Sequence, residues 1–323
     1  MKSVYLPVVF ALLIALCVPS FASQDTNATL KAVIKIRSIF SDDARTASLL
    51  GTEREGNGVV IDSNGHILTI GYLIMEAKSI EVFVQEDMPI KATFVGYDYH
   101  TGFGIIKANR PLNIKPLQLG QSSQVKEGDP VLVVSHGGSD GVQGARVVSR
   151  GEFIGYWEYI LEDAIYTAPP HAKFGGAALL GPEGRLLGIG SIYTQLMIPE
   201  TGLVPCNMSV PIDRLKPILD DLISSGRSST PPNPWLGVHA EEAYGRIIVL
   251  RVTAGSPAEK AGLQPTDVIL TVNKMTVNGL ADFYRKVWAL GKPGVEVPLS
   301  ILQGNQVRNL TVPSANRYQY LKK

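Results

Sequence analysis

The chain is poor in cysteine, with two residues in 323, and poor in charge, with 30 basic and 29 acidic side chains making up 18% of it. So few cysteines exclude a disulfide framework. The near-neutral balance argues against nucleic acid as a partner, because phosphate binding calls for a basic surface. Long apolar runs are missing as well: only residues 6–18 form one, too short to span a bilayer comfortably. What is present is a 45% hydrophobic fraction, which rules out a disordered polymer. The 32 Gly and 21 Pro favour many strands and turns over a helical bundle.

The apolar run belongs to a secretory signal expected over residues 1–22. Lys2 supplies its charge, residues 6–18 its core and Ser20-Phe21-Ala22 a small-x-small cleavage site. Leu16 fits poorly with a lipoprotein signal at Cys17, which wants a small residue there. Removing the signal takes Lys2 and Cys17 away, leaving 29 basic against 29 acidic residues and Cys206 as the one thiol of the mature chain. The expected product is an exported, periplasmic protein without an intrachain disulfide.

Residues 24–225 read as a succession of short strands. Val33-Ile34-Lys35-Ile36, Gly58-Val59-Val60-Ile61, Ile80-Glu81-Val82-Phe83-Val84 and Pro130-Val131-Leu132-Val133-Val134 are among them. Turn clusters punctuate them, such as Asp62-Ser63-Asn64-Gly65 and Gly181-Pro182-Glu183-Gly184. Many strands at hairpin spacing point to a barrel or sandwich. Leu215, Ile218, Leu219 and Leu222 recur at helical spacing, which predicts a helix over 212–222. Residues 226–234 carry three prolines and no large apolar residue, and read as an extended linker. A second unit follows over 235–316, with strands at 247–252, 268–272 and 295–301. A helix over 280–290 carries Phe283, Tyr284, Val287 and Leu290 on one stripe.

Taken in order, several strings in both units resemble HtrA/Deg-type serine proteases. Gly56-Asn57-Gly58-Val59-Val60-Ile61-Asp62 with Gly65-His66-Ile67-Leu68-Thr69 is similar to that family's opening hairpin. Leu119-Gly120-Gln121-Ser122 with Gly128-Asp129-Pro130-Val131-Leu132 is similar to its interbarrel stretch. Ser256-Pro257-Ala258-Glu259-Lys260-Ala261-Gly262-Leu263 and Asp267-Val268-Ile269 are PDZ-like, with Thr266 in place of a common glycine. The resemblance implies a mostly β chain, a chymotrypsin-like double β-barrel followed by a PDZ domain, without a cofactor.

The chemistry does not follow. A serine protease needs a nucleophilic serine, an imidazole to take its proton and a buried carboxylate to orient that imidazole. Against the family pattern Thr-Asn-Asn-His this chain has Thr69-Ile70-Gly71-Tyr72, so Tyr72 stands at the base position. Gly102 stands at the carboxylate position in Gly96-Tyr97-Asp98-Tyr99-His100-Thr101-Gly102. Phe174 stands at the serine position in Ala172-Lys173-Phe174-Gly175-Gly176, with Ala172 replacing the first glycine of the oxyanion loop. A phenyl ring cannot attack a carbonyl, and a phenol titrating near 10 is a poor base at neutral pH. Tyr72 and Phe174 are expected to pack across the former cleft, so that Phe174→Ser would cost about 2–5 kcal/mol.

The candidates for substitute catalytic groups are His100, His136 and His171 with Ser135, Ser139 or Cys206. Ser135 and His136 are sequence neighbours on a strand and point to opposite faces. His100 and His171 fall on loops near the triad positions, where two imidazoles would suit a transition metal, but neither has a carboxylate or cysteine at ligand spacing. No metal is expected.

The PDZ resemblance implies capture of peptide C-termini by strand addition, with loop amides meeting the terminal carboxylate. Leu236, Gly237 and Val238 occupy the place of that loop, and Phe283 and Val287 the facing helix. The expected partners are protein or peptide C-termini, unfolded exported proteins or an active relative. A homotrimer is implied by analogy alone. The expected function is that of a pseudoprotease acting as chaperone, scaffold or regulator. The alternatives are an active serine endopeptidase and a metal-binding pseudoprotease.

Overall fold

The computed structural model describes residues 26–84 and 88–320; the signal expected at residues 1–22 lies outside them. After α1 (Thr26–Lys31), the first barrel is built from β1 (Val33–Phe40), β2 (Glu53–Val60), β3 (His66–Ile70), β4 (Ala77–Phe83), β5 (Ile90–Tyr97) and β6 (Phe103–Ala108), with α2 (Ala47–Leu50) between β1 and β2. It closes in the order β1-β2-β3-β6-β5-β4. Alternation sets the faces of β1: Ile34, Ile36, Ser38 and Phe40 are buried, while Arg37 points out and pairs with Glu81 on β4 at 2.6 Å. The β2–β3 turn is fixed by Asp62, whose Oδ1 accepts the amides of Asn64 and His66 at 2.9 and 3.0 Å, and by Gly65 at φ +82°.

The second barrel uses β7 (Pro130–Val134), β8 (Val142–Gly155), β9 (Tyr159–Ala168), β10 (Ala178–Leu180), β11 (Leu186–Ile198) and β12 (Gly202–Pro211), closed in the order β10-β11-β12-β9-β8-β7. The two cores merge: Ile67, Phe103 and Ile105 of the first share one buried cluster with Leu161, Ala164 and Val210 of the second. Asn57 on β2 fastens the barrels together. Its amide nitrogen donates to the carbonyls of Lys173 and Gly175 at 2.8 and 2.9 Å, and its Oδ1 accepts the His136 amide at 2.8 Å. Gly176 completes the seam at φ +75°, where a Cβ would lie 1.9 Å from the Asn57 carbonyl.

The helix expected over 212–222 is broken. A 3-10 turn covers Ile212–Arg214, and α3 (Leu219–Ser225) starts only after Pro217, which lacks an N–H and disfavours helical backbone before it. Leu215, Ile218 and Leu222 are buried all the same. Gly226 caps α3 in the left-handed region, and its carbonyl accepts the Tyr97 amide at 3.1 Å.

After this helix a five-stranded path runs through β13 (Val238–Ala243), β14 (Arg246–Val252), β15 (Val268–Val272), β17 (Glu296–Gln303) and β18 (Gln306–Pro313), with β16 (Met275–Thr276) beside β15. α4 (Pro257–Lys260) is capped by Ser256, with Pro257 at its first position, and α5 (Leu280–Trp288) packs Phe283, Tyr284 and Val287 into a core of its own. A C-terminal turn, α6 (Arg317–Tyr320), returns to the first barrel, where the Tyr99 and Tyr318 rings meet at 4.5 Å. Among the described residues no helix is long and apolar enough to cross a membrane.

Thr266, which stands in place of a glycine, adopts φ +75°, a conformation that resists a β-branched side chain. Its amide donates to the Val249 carbonyl at 2.7 Å, so the turn is held despite the side chain. Thr266→Gly should therefore raise unfolding stability by roughly 0.5–1 kcal/mol, read from the urea midpoint at unchanged slope.

Candidate functional site

The turn after β3, the loop before β6 and the loop before β10 bring Tyr72, Gly102 and Phe174 to the wall of one cavity of about 450 Å³. Tyr72 sits in the 3-10 turn Gly71–Leu73, and its hydroxyl donates to the Ser191 carbonyl at 3.0 Å. Burial pushes the phenol above its ordinary value, away from any role as a base at neutral pH. Gly102 stands at φ +80° with its amide on the Asp98 carbonyl at 2.8 Å. The neighbouring Asp98 is buried and already engaged: its Oδ2 accepts the amide and hydroxyl of Thr101, both at 2.8 Å.

Phe174 is half-buried, and among the described residues it makes no ring contact with Tyr72. The expectation that the two aromatics close the cleft is thus corrected. The Tyr72 hydroxyl points instead to Ser191, and it lies 2.7 Å from where a Cβ on Gly175 would stand. The space between the rings remains open. Aromatic and aliphatic side chains line it together with the arginines Arg45, Arg251 and Arg317, and the second unit contributes Trp235 and Val238 to its wall.

The substitute groups do not form a catalytic pair. Ser135 donates to the carbonyls of His136 and Gly141 at 3.3 Å, while the His136 ring meets Asn57 Oδ1 at 2.8 Å. Cys206 is fully buried in β12, its thiol pushed up to about 11 by burial. His171 accepts the Lys173 amide on Nδ1 at 2.9 Å, and burial lowers its pKa. His100 Nε2 lies 3.2 Å from the Pro231 carbonyl in the linker. Among the described residues no three His, Cys, Asp or Glu side chains gather as a metal site.

Leu236 and Gly237 lie in the loop before β13, and Val238 opens the strand. Gly237 turns the loop at φ +88°, where a Cβ would lie 2.3 Å from Ser256 Cβ. Its amides converge on one carboxylate, that of Glu158 in the tight turn between β8 and β9. Leu236 N–H donates to Oε2 at 2.9 Å, and the Gly237 and Val238 amides donate to Oε1 at 2.6 and 2.8 Å. On the β13 edge the Ala240 amide donates to the Tyr156 carbonyl at 2.9 Å, and from α5 the Tyr284 hydroxyl donates to the Gly155 carbonyl at 3.0 Å. Leu236, Val238, Phe283 and Val287 lie together in the buried core of the unit, with Ile160 of β9 packed against it. Sequence reasoning missed Glu158 and Tyr156, and read Tyr284 only as part of the apolar stripe of its helix. A glutamate at a hairpin tip has no motif, and only the register of β8 on β9 brings it to the loop.

A family model described as a trypsin-like peptidase domain matches residues 56–189, a range that includes Tyr72, Gly102 and Phe174, and one described as a PDZ domain matches residues 234–313. The arrangement is that of the HtrA/DegP type. A probable periplasmic serine endoprotease DegP-like of Bartonella henselae is 28% identical over 273 residues, covering 80% of this chain and 52% of the relative. One of Hahella chejuensis is 26% identical over 293 residues, covering 85% of this chain and 60% of the relative. The chain thus spans about half to three-fifths of the length of these curated relatives. Among solved structures, the HtrA-type protease AlgW with tripeptide superimposes with TM-score 0.52 at 23% identity, covering 93% of this chain and 98% of that one. The serine endoprotease from Yersinia pestis gives TM-score 0.52 at 22% identity, covering 91% and 98%.

Within this HtrA-type frame the open cleft changes the expected energetics of its walls. Phe174→Ser should cost about 1–2 kcal/mol, because a half-buried ring loses only part of its transfer energy. Gly102→Asp should add a further 1–2 kcal/mol or so by forcing a side chain into left-handed backbone. Denaturant melts of the two single variants and the double variant read both figures.

Proposed function

We propose that this protein is an exported, HtrA-like pseudoprotease whose PDZ domain captures peptides or exposed C-termini, as a chaperone, scaffold or regulator of an active relative. The observation that supports this reading best is the loop of Leu236, Gly237 and Val238, where three successive amides hold a carboxylate beside the edge of β13. A peptide entering there would pair along β13 and place its terminal carboxylate on those amides. The names of the relatives, periplasmic by their own descriptions, support export.

The pseudoprotease half of the proposal rests on Tyr72, Gly102 and Phe174. None of these side chains supplies a nucleophile, a neutral-pH base or a buried carboxylate, and the nearby Asp98 is committed to Thr101. The relatives' names favour the alternative, an active serine endopeptidase. Against it stands the absence, among the described residues, of a serine hydrogen-bonded to an imidazole. A metal-binding role for His100 and His171 gains no support, since each ring already meets a backbone group of its own.

The purified protein should hydrolyse casein no faster than buffer and take up no fluorophosphonate serine probe. Labelling abolished by one Ser→Ala change would sink the pseudoprotease reading. Peptides with free apolar C-termini should bind better than their amidated forms. Gly237→Val, which drives a Cβ into Ser256, should abolish the difference.

A further inference from the structure

The carboxylate held by the PDZ loop comes from the same chain. Glu158 is 8% exposed and receives three amide hydrogen bonds, the pattern expected of a bound terminal carboxylate. Its backbone lies at φ +56°, in the left-handed region that a glutamate resists. The strain delivers the side chain to the loop. The residues just before Glu158 meet both walls of the groove. Tyr156 takes the Ala240 amide at the β13 edge, and Gly155 takes the Tyr284 hydroxyl from α5. Ile160, two residues further on, packs on the PDZ core.

We propose that the β8–β9 turn is an internal ligand of the PDZ domain, with the Glu158 carboxylate standing where a peptide's C-terminal carboxylate binds. The proposal rests on the carboxylate-capture reading given above. An external C-terminus binds by displacing the turn, and its apparent affinity is reduced by the fraction of molecules in which the turn is docked. Tethering keeps the internal carboxylate at high effective concentration. A peptide can still win, because the turn takes up the Ala240 amide through one carbonyl whereas an extended strand runs along the whole β13 edge. Displacement of the tip breaks the hydrogen bond from Arg317 Nη1 to the Trp157 carbonyl at 3.2 Å, whereas the Arg285–Glu152 ion pair lies further back on β8 and does not depend on the tip.

The test uses the full-length mature protein, a fluorescein-labelled decapeptide ending in Leu-Val with a free carboxylate, and the same peptide amidated. Glu158→Gln removes the charge, and Glu158→Gly removes the side chain while suiting the backbone. Glu162→Gln, on β9 and paired with Arg214, serves as the control. Both Glu158 variants should bind the free peptide about 10-fold more tightly than the wild type or the control, by fluorescence anisotropy. Without peptide, the Gly237 amide proton should shift upfield in Glu158→Gln relative to the wild type. Equal affinity in all four proteins, with an unmoved Gly237 amide, overturns the internal ligand and leaves carboxylate capture standing. A free peptide that binds no better than the amidated one in any of the four, Glu158→Gly included, removes carboxylate capture and the internal ligand with it.

Discussion

A carboxylate taken out of water must be met by hydrogen-bond donors or opposite charge, and Glu158 meets that demand with backbone from another domain. Burial drives its pKa up, and the three amides and the nearby Arg317 pull it down without cancelling the rise. The three hydrogen bonds tie the PDZ unit to the second barrel. Once the carboxylate is seated, the Ala240–Tyr156 and Tyr284–Gly155 bonds follow from the short reach of the turn, and Ile160 is carried onto the PDZ core. The Trp157 and Tyr159 rings on either side of Glu158 stack with centroids 5.6 Å apart and stiffen the turn that presents it.

The shape of the cleft rests on contacts made within the loops around it. The loops that carry Tyr72, Gly102 and Phe174 still converge, because structural residues rather than catalytic ones position them. Asn57 pins the Lys173 and Gly175 carbonyls, Asp98 closes the loop leading to Gly102, and Gly71 bonds back to the Gly102 carbonyl. None of these contacts depends on a serine or a histidine. The cavity therefore persists with an apolar, arginine-bearing wall.

Much of the fold was legible in the sequence because it is written in local signals. The short apolar strand at Val33–Ile36, the turn at Asp62 and the helical stripe of Phe283, Tyr284 and Val287 each act over a few residues and are each found in place. The helix over 212–222 failed where a local signal was outweighed: the apolar spacing was right about burial, but Pro217 decided the backbone. The closing of the cleft by Tyr72 and Phe174 failed for a different reason. Facing positions in a homologous frame fix neighbourhood but not rotamer, and the Tyr72 hydroxyl found a carbonyl at Ser191 instead of a ring. Glu158 was beyond reach altogether. Its partners lie 78 to 80 positions away in the chain, and nothing in a Tyr-Trp-Glu-Tyr string marks the glutamate as a ligand.

The position of that glutamate ties the two candidate sites together. Tyr156, Trp157 and Tyr159, which flank Glu158 in the turn, also line the cavity shared by Tyr72, Gly102 and Phe174, and Val238 of the PDZ loop borders the same space. One hairpin tip thus fills the groove on one side and forms the wall of the cleft on the other. A tip held by hydrogen bonds and stacked rings moves as a unit, since packed interiors switch between discrete arrangements rather than deforming gradually. The groove and the cleft are for that reason not independent surfaces. Whatever seats or lifts the Glu158 carboxylate also sets the shape of the cavity behind it, through Trp157 and Tyr159.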